Sequence, residues 1–236
     1  RRVSWHSTFS QPYGYAMISR GLVFSLENDE VGVDYQYLYG PKTVFPVEEK
    51  KDLEDYRINI IKHRKIKKGS PNIVFGQGDA FQYVKEGYRI GYTMLETTGI
   101  PKDWSQQANS MDEIWSPSPF NAWTFRKSGV KKPISVMPLG VDTNYFHPQI
   151  KGYRVKGVFT CLSIFEWGER KAPEILLKAF NQAFNVNEPV VLICKFINND
   201  PGINVKAQLN QLGLDPQGGK IVFSVNDHVP YDQLAQ

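Results

Sequence analysis

Two adjacent cations, Arg170 and Lys171, follow an apolar run that predicts a β-strand at residues 158–164. Pro173, just after them, can occupy the first turn of a helix. This order predicts a strand, a loop and a helix N-terminus, where amide groups and the helix dipole favour anions. Because arginine binds phosphate oxygens in bidentate fashion, the pair is a candidate site for a diphosphate. The alternative is a solvated Arg-Lys pair that binds nothing.

Two further positions could contact a ligand at strand ends. Glu96 follows a strand predicted at residues 89–93 and lies in a loop. A carboxylate there can serve in catalysis or contact a ligand, or it can simply cap nearby backbone groups. Gly14 follows the first predicted strand, and its missing side chain would let a ligand approach backbone amides. A plain turn explains Gly14 equally well.

The residue types argue against several other chemistries. Gly76 and Gly78 follow a strand, but Phe81 occupies the position of the third glycine in a dinucleotide-binding fingerprint. A nicotinamide-dependent oxidoreductase is therefore not favoured. The four histidines and two cysteines show no metal-ligand spacing, and neither a nucleophile elbow nor a Walker loop occurs. We therefore expect neither a metal ion nor a resident cofactor.

Net charge and hydropathy limit the kinds of partner that are expected. The net charge of +4 is too small to indicate nucleic-acid binding, and no apolar run approaches the ~18 residues of a membrane span. Cys161 and Cys194 lie in apolar runs and are expected to be free thiols in a reducing compartment, which predicts a cytoplasmic protein.

A local run of cations is expected to be the solvated last turn of a helix that ends at Gly69. Its other interpretation is weak association with an anionic surface at the inner face of a membrane. The run comprises Lys62, Arg64, Lys65, Lys67 and Lys68.

Short apolar runs alternate with longer amphipathic ones along the first part of the chain. Such alternation predicts βαβ units around a mostly parallel sheet, so residues 1–140 are expected to form one doubly wound α/β domain. Strands are predicted at residues 2–6, 31–38, 72–75, 89–93, 113–115 and 134–136, and helices at 14–28, 47–68 and 119–128, the last of them stopped by Gly129.

Residues 141–157 break this periodicity and are predicted to connect two domains. A second α/β unit follows, with strands predicted at 158–164, 189–197 and 220–225 and helices beginning near Pro173, Val205 and Tyr231. A doubly wound domain needs more than three strands. Residues 158–236 are therefore expected to be the first part of a second domain.

Several segments together resemble the retaining glycosyltransferases of family 4. Residues 112–121 (DEIWSPSPFN), 128–130 (SGV) and 133–142 (PISVMPLGVD), with Phe146 and Pro148, are similar to the end of that family's N-terminal domain. Residues 166–171 (EWGERK) and the apolar stripe at 176–184 resemble the start of its donor domain. The turn around Gly14, with Arg20 and Leu22, resembles its N-terminal glycine loop.

The resemblance implies a GT-B fold, which has two Rossmann-like domains. It implies that the N-terminal domain, residues 1–140, binds the acceptor, and that residues 158–236 are the first part of the C-terminal domain, which binds the nucleotide-sugar. It implies a nucleotide-diphosphate sugar as donor, transfer with retention and no metal, and a sugar, lipid or protein as acceptor. Arg170 and Lys171 match the loop that neutralises the leaving diphosphate, and Gly14 matches the loop near the donor phosphates. Gly140 and Asp142 match the hinge-side motif. Glu96 is the candidate catalytic residue.

The chain departs from the family's pattern at three points. Phe165 stands where many members have arginine, and Glu96 is the polar residue nearest to a histidine that many members have. The family's downstream acidic motif lies outside these 236 residues, so the chain alone is expected to be inactive. An isomerase or phosphorylase on the same scaffold and a non-catalytic module that binds sugar-nucleotide or protein partners are the alternatives.

Overall fold

The computed structural model describes residues 1–9, 14–38, 56–65, 67–152, 156–198 and 200–225. The chain divides into two compact units, Arg1–Asp142 and Thr143–Gln236. Both units are built on parallel sheets, which confirms the α/β class predicted from the alternating pattern.

The first unit alternates strands and helices. Its strands are β1 (Arg2–Ser7), β2 (Gly32–Tyr37), β3 (Asn72–Phe75), β4 (Arg89–Tyr92), β5 (Glu113–Ser116) and β6 (Ile134–Val136). Its helices are α1 (Gly14–Asn28), α2 (Tyr56–Lys62), α3 (Lys102–Ser110) and α4 (Pro119–Lys127), with a 3₁₀ segment at Gly78–Tyr83.

The six strands form one sheet in the order β2-β1-β3-β4-β5-β6, and every neighbouring pair is parallel. The order reverses between β1 and β3, because β2 lies on one side of β1 and all later strands lie on the other. Open α/β sheets bind ligands at the carboxyl ends of the strands beside such a switch point. A ligand is therefore expected near the carboxyl ends of β1 and β3.

Two apolar cores cover the two faces of this sheet. On one face, Trp5 and Ile73 of the sheet pack with Val23 of α1 and Ile61 of α2. On the other face, Val74 and Ile114 pack with the 3₁₀ segment, α3 and α4 through Phe81, Ala108 and Phe125. Successive strand residues alternate between the two cores, as the pleat requires.

The second unit contains β7 (Phe159–Glu166), α5 (Pro173–Ala183), β8 (Val190–Ile197), α6 (Val205–Gln211) and β9 (Lys220–Val225). Its three strands are parallel in the order β7-β8-β9. Leu177, Leu192 and Phe196 form the core beneath the helices, while Leu162 and Ile164 on the alternate face of β7 are exposed. With three strands among the described residues, this sheet is an incomplete Rossmann-like sheet.

Several predicted elements are corrected by the structure. Within the described residues, the predicted helix at 47–68 is only α2, which ends at Lys62. Residues 47–55 and the helix predicted from Tyr231 lie outside the described residues. Helix α3 and the 3₁₀ segment at Gly78–Tyr83 were not predicted at all.

The basic run after α2 has structural contacts that its sequence did not indicate. The Arg64 guanidinium pairs with Glu27 at the end of α1 and donates to the Val33 carbonyl. This pairing with Glu27 raises the pKa of Arg64. The Lys67 amide donates to the buried Asp34 carboxylate. The prediction that the run forms the last turn of a helix is confirmed for Lys62, which lies in the last turn of α2. It is wrong for Arg64 and Lys67, which follow the helix and hold the chain to β2.

Candidate functional site

Three residues at the carboxyl edge of the first sheet occupy equivalent positions. Thr8, Gly76 and Thr93 are each the first residue after their strand, and those strands, β1, β3 and β4, are adjacent in the sheet. Parallel strands bring such residues to one edge. This edge includes the switch point, where a ligand is expected in an open α/β sheet.

The two threonines at this edge have unused hydrogen-bonding capacity. Thr8 and Thr93 are 6% and 0% exposed. The Thr8 Oγ1 has no hydrogen-bond partner in the described part of the chain, and the Thr93 Oγ1 lies near the Tyr15 hydroxyl without a hydrogen bond of normal geometry. Buried polar side chains in folded proteins are nearly always hydrogen-bonded, so an orphaned hydroxyl calls for an explanation. A ligand that supplies the missing partner is one such explanation.

Tyr15 brings the first turn of α1 to this edge. Its ring packs on Phe75, the last residue of β3, with 5.0 Å between ring centroids. Burial raises the pKa of the Tyr15 hydroxyl, the nearby Thr93 side chain and Met94 backbone lower it, and the Glu96 and Asp79 carboxylates raise it further. The hydroxyl therefore lies beside Thr93, and the Asp79 and Glu96 carboxylates are close enough to raise its pKa through their charge.

Asp79 is positioned by the 3₁₀ segment at Gly78–Tyr83. A Cβ at Gly78 would lie 2.6 Å from the Trp104 ring of α3, so only glycine lets the segment pack this closely. Asp79 follows directly, and its Oδ1 is a buried oxygen without a hydrogen-bond partner in the described structure. Gly78 therefore has a packing role, in agreement with the weak dinucleotide signal of its sequence.

Two of the predicted site residues lie at this edge. Glu96 is exposed in the loop between β4 and α3, close enough to Tyr15 to influence its pKa. Gly14 is the exposed first residue of α1, next to Tyr15 in the chain. A Cβ at Gly14 would meet nothing within 4 Å, so packing does not demand glycine there. The residues before Gly14, including Tyr13, lie outside the described residues.

The hinge-side candidates lie where the first unit ends. Gly140 and Asp142 are exposed in the irregular segment that follows β6. A Cβ at Gly140 would also meet nothing within 4 Å. The structure gives Gly140 no steric reason to be glycine, and Asp142 is the last residue of the first unit.

The basic pair lies at the carboxyl end of β7 in the second unit. Strand β7 ends at Glu166, the buried Trp167 follows, and a 3₁₀ turn at Glu169–Lys171 carries both cations. The Trp167 indole donates to Gln208 Oε1 of α6 at 2.7 Å, which anchors the start of the loop. Arg170 and Lys171 are exposed at its end, immediately before α5.

Fewer backbone amides are available to bind an anion at this basic loop than its sequence predicts. The amides of Ile175 and Leu176 both donate to the Ala172 carbonyl, and the Lys171 amide donates to Gly168. Pro173 has no amide hydrogen. Attraction for an anion therefore comes mainly from the Arg170 and Lys171 side chains and from the dipole of α5.

The loop also contains a strained residue. Ala172 adopts φ 47° and ψ 50°, in the left-handed region that residues with a Cβ avoid. It joins the 3₁₀ turn directly to α5. Its backbone conformation therefore sets the direction of the turn that carries the two cations relative to the helix. Strain of this kind often accumulates at functional sites.

A cleft of about 360 Å³ adjoins the basic loop. It is lined by the loop, by the start of α5, by two glutamines of α6 and by apolar residues on either side of α6, and two of its lining side chains are carboxylates. These residues include Trp167, Glu169, Glu174, Ile203, Gln208 and Leu212.

No protein-family model matches the chain, and no curated protein matches it either. Among the described residues, no group of three His, Cys, Asp or Glu side chains could hold a metal ion. In the same part of the chain, no helix has the length and apolar character needed to cross a bilayer. The function must therefore be inferred from the two strand-end sites themselves.

Proposed function

We propose that this chain belongs to a retaining glycosyltransferase that transfers a hexose from a nucleotide-diphosphate sugar to an acceptor hydroxyl. Three features support the proposal: two Rossmann-like parallel sheets, a polar edge at the switch point of the first, and a basic loop at the end of β7. The resemblance to family 4 glycosyltransferases adds support, since it covers residues in both units.

In this proposal the transfer conserves atoms and charge. The bond between the sugar's anomeric carbon and the diphosphate oxygen breaks, and a bond from that carbon to the acceptor oxygen forms on the same face. The acceptor proton passes to an oxygen of the departing diphosphate, and the nucleoside diphosphate leaves. Arg170 and Lys171 would neutralise the charge that develops on the leaving group. No metal is needed for this role.

The location of Arg170 and Lys171 carries the proposal. They are two exposed cations on a 3₁₀ turn, at the carboxyl end of a parallel strand and directly before a helix. A cation pair in that place suits the two adjacent phosphates of a nucleoside diphosphate. Glu96 and Gly14 would act from the first unit, Glu96 near the reacting centre and Gly14 near the donor phosphates.

Binding of UDP, GDP and ADP to the 236-residue chain, measured by calorimetry, tests the proposal. Lys171→Ala should weaken binding of the preferred nucleotide about 10- to 100-fold, the usual effect of losing one charge-assisted contact. Lys178→Ala, an exposed lysine of α5, is the matched control and should leave affinity unchanged. Equal nucleotide affinities of Lys171→Ala and Lys178→Ala would contradict the proposal that the basic loop binds the diphosphate.

Turnover separates the enzyme from its alternative. The complete protein should hydrolyse or transfer a nucleotide-diphosphate sugar and should lose that turnover in Lys171→Ala. Binding without any turnover, across UDP-, GDP- and ADP-sugars, would favour a non-catalytic module that binds sugar-nucleotides. Turnover that does not respond to Lys171→Ala would place the donor elsewhere.

We propose a sugar, lipid or protein acceptor and no nucleic acid. Weak association with an anionic membrane surface would use the exposed side chains of the basic run, for which Lys65, Lys67 and Lys68 remain after Arg64 is engaged by Glu27. Sedimentation with phosphatidylserine vesicles at low salt tests this association. A protein that stays in the supernatant would refute it.

A further inference from the structure

We propose that the cleft beside the basic loop binds a small organic amine with an apolar body, and that this amine raises the affinity of the loop for a nucleoside diphosphate. The cleft lies within the second unit, between the loop after β7, the start of α5 and α6. Binding of the amine does not depend on the proposed function. Its effect on nucleotide affinity rests on the proposed function.

The loop lines the cleft on both sides of its cation pair. Residues 167–169 before the pair and residues 173–174 after it line the cleft, whereas Arg170 and Lys171 do not. The two cations therefore lie outside the cleft, although they belong to the same short loop. A ligand in the cleft would contact the loop at both ends and leave the place proposed for the diphosphate open.

The size and the walls of the cleft suit a ligand with an apolar ring or chain. Its volume of about 360 Å³ lies in the range of small-molecule sites. Pro173 forms a buried part of the wall, and Ile203 and Leu212 are half-buried parts of it. The Trp167 indole donates to Gln208 Oε1 at 2.7 Å, so the loop is already tied to α6 in the free protein. The cleft is therefore formed before a ligand arrives.

Charge selects an amine for the polar end of this ligand. Glu169 and Glu174 line the cleft and are exposed, and among the described residues no lysine or arginine lines it. Two carboxylates attract an ammonium group, which offers three N–H donors, and they repel a carboxylate or a phosphate. Glu174 also lies in the first turn of α5, where the helix dipole favours its ionised form.

The same charges couple the cleft to the basic loop. An ammonium group beside Glu169 and Glu174 neutralises two carboxylates that otherwise repel a diphosphate at the neighbouring Arg170 and Lys171. The bound amine and the bound diphosphate also attract each other directly. Because coupling between two sites is reciprocal, each ligand should raise the affinity for the other.

Three small molecules with the same phenylethyl body test the choice of ligand. Saturation-transfer NMR on the 236-residue chain should show that 2-phenylethylamine binds with a Kd on the order of millimolar, as expected for a ligand of this size. 2-Phenylethanol should bind at least about tenfold more weakly, because it lacks the charge-assisted contacts. 3-Phenylpropionate should not bind. Equal binding of the amine and the alcohol, or no binding of the amine, would overturn the proposal.

Variants and one resonance locate the binding site. Glu169→Gln and Glu174→Gln should each weaken amine binding about tenfold. Glu188→Gln, at an exposed glutamate of the same unit that does not line the cleft, is the matched control and should leave amine affinity unchanged. In ¹⁵N-labelled protein the indole N–H signal of Trp167, assigned with Trp167→Phe, should shift as the amine is added. Amine binding that ignores both glutamates or leaves this signal in place would refute the site.

Calorimetry with UDP, GDP and ADP tests the coupling. Saturating 2-phenylethylamine should raise the affinity for the preferred nucleotide about two- to threefold, the size expected for charges that interact across an exposed loop. Glu169→Gln should abolish this increase. Unchanged or lowered nucleotide affinity would overturn the coupling.

The two proposals can fail separately. Amine binding that depends on Glu169, in a chain whose nucleotide affinity ignores Lys171, would keep the amine site and reject the diphosphate site. Nucleotide binding that depends on Lys171, without any binding of 2-phenylethylamine, would do the reverse.

Discussion

The two parallel sheets end in loops of opposite character. At the first sheet, threonines and a tyrosine lie with the carboxylates Asp79 and Glu96, whereas at the end of β7 the exposed cations Arg170 and Lys171 precede a helix. Both sheets follow the same strand-helix-strand architecture. In the proposed function, this shared architecture sets where a ligand binds, while a few loop residues set which ligand it is.

The two edges also differ in how their groups are held. Tyr15 packs on Phe75, and the segment that carries Asp79 fits closely against Trp104 because Gly78 has no side chain. The basic loop is anchored by the Trp167 indole at its start and by the strained Ala172 at its end, with its cations exposed between them. The first edge is thus held by packing and the second by backbone geometry.

The largest effect on nucleotide binding is expected from reversing the charge of the basic loop after β7. The double substitution of Arg170→Glu and Lys171→Glu should reduce nucleoside-diphosphate affinity by more than about 100-fold, since two attractive contacts become repulsive. Asp79→Asn with Glu96→Gln, at the first sheet, should leave nucleotide affinity unchanged. Calorimetric titration of both double variants with UDP, GDP and ADP would measure this contrast. Equal losses of nucleotide affinity in the two double variants would show that the loops of the two sheets do not differ in their preference for nucleotides.

A smaller effect is expected from disturbing the packing of the first edge. Gly78→Ala places a methyl group 2.6 Å from the Trp104 ring and should lower the free energy of unfolding by about 1–3 kcal/mol. Gly99→Ala is the matched control, because a Cβ there meets nothing within 4 Å. Urea unfolding of both variants measures the difference. A Gly78→Ala protein as stable as Gly99→Ala would show that the segment carrying Asp79 is loosely held.

Alkaline pH should act on the two sheets in different ranges. Burial raises the pKa of Cys194, in β8, to about 11, and that of Tyr92, at the end of β4, to about 12. Both groups are neutral when protonated, so the folded state keeps its proton where the unfolded chain has lost it. Stability should therefore fall from about pH 9 through 11 because of Cys194, and from about pH 10 through 12 because of Tyr92.

Variants assign these two alkaline losses. Cys194→Ala should remove the first, and Tyr92→Phe the second, in unfolding experiments monitored by circular dichroism at each pH. Stability in the parent protein that stays constant between pH 9 and 12 would contradict both assignments.

The smallest effect is expected from relieving backbone strain in the basic loop. Ala172→Gly should raise the free energy of unfolding by up to about 1 kcal/mol, because glycine accepts the left-handed conformation without steric cost. It should also weaken nucleotide binding slightly by loosening the loop. Glu30→Gly, at the other non-glycine position with positive φ among the described residues, should raise stability without altering nucleotide affinity. Ala172→Gly with unchanged stability would show that this conformation costs nothing.

Elements with a strong apolar pattern were predicted well. Strands β3, β6 and β9 were predicted at their observed bounds, and α4 begins at Pro119 and stops before Gly129 as expected. Gly129 has a positive φ, and Val130 donates to the Phe125 carbonyl beyond it, which is the hydrogen bonding of a glycine helix stop. Local chemistry was sufficient for these elements.

Elements with weak or misleading apolar patterns were predicted poorly. Helix α3 (KDWSQQANS) offers only Trp104 and Ala108 as apolar residues, and tertiary packing of these two supplies what its sequence lacks. The basic run after Lys62 continued a helical pattern, but the ion pair of Arg64 with Glu27, distant in sequence, holds it to another part of the unit. Long-range contacts of this kind leave no local signal.

The α/β class and the candidate loops could be predicted from the sequence, because apolar periodicity, proline and glycine act within a few residues of one another. It placed Arg170, Lys171, Gly14 and Glu96 at strand ends. The proximity of Tyr15 to Thr93 could not be predicted in this way, since the order of parallel strands depends on crossovers that the local pattern does not encode. The burial of the Thr8 and Thr93 hydroxyls likewise arises only when the sheet and its helices pack together.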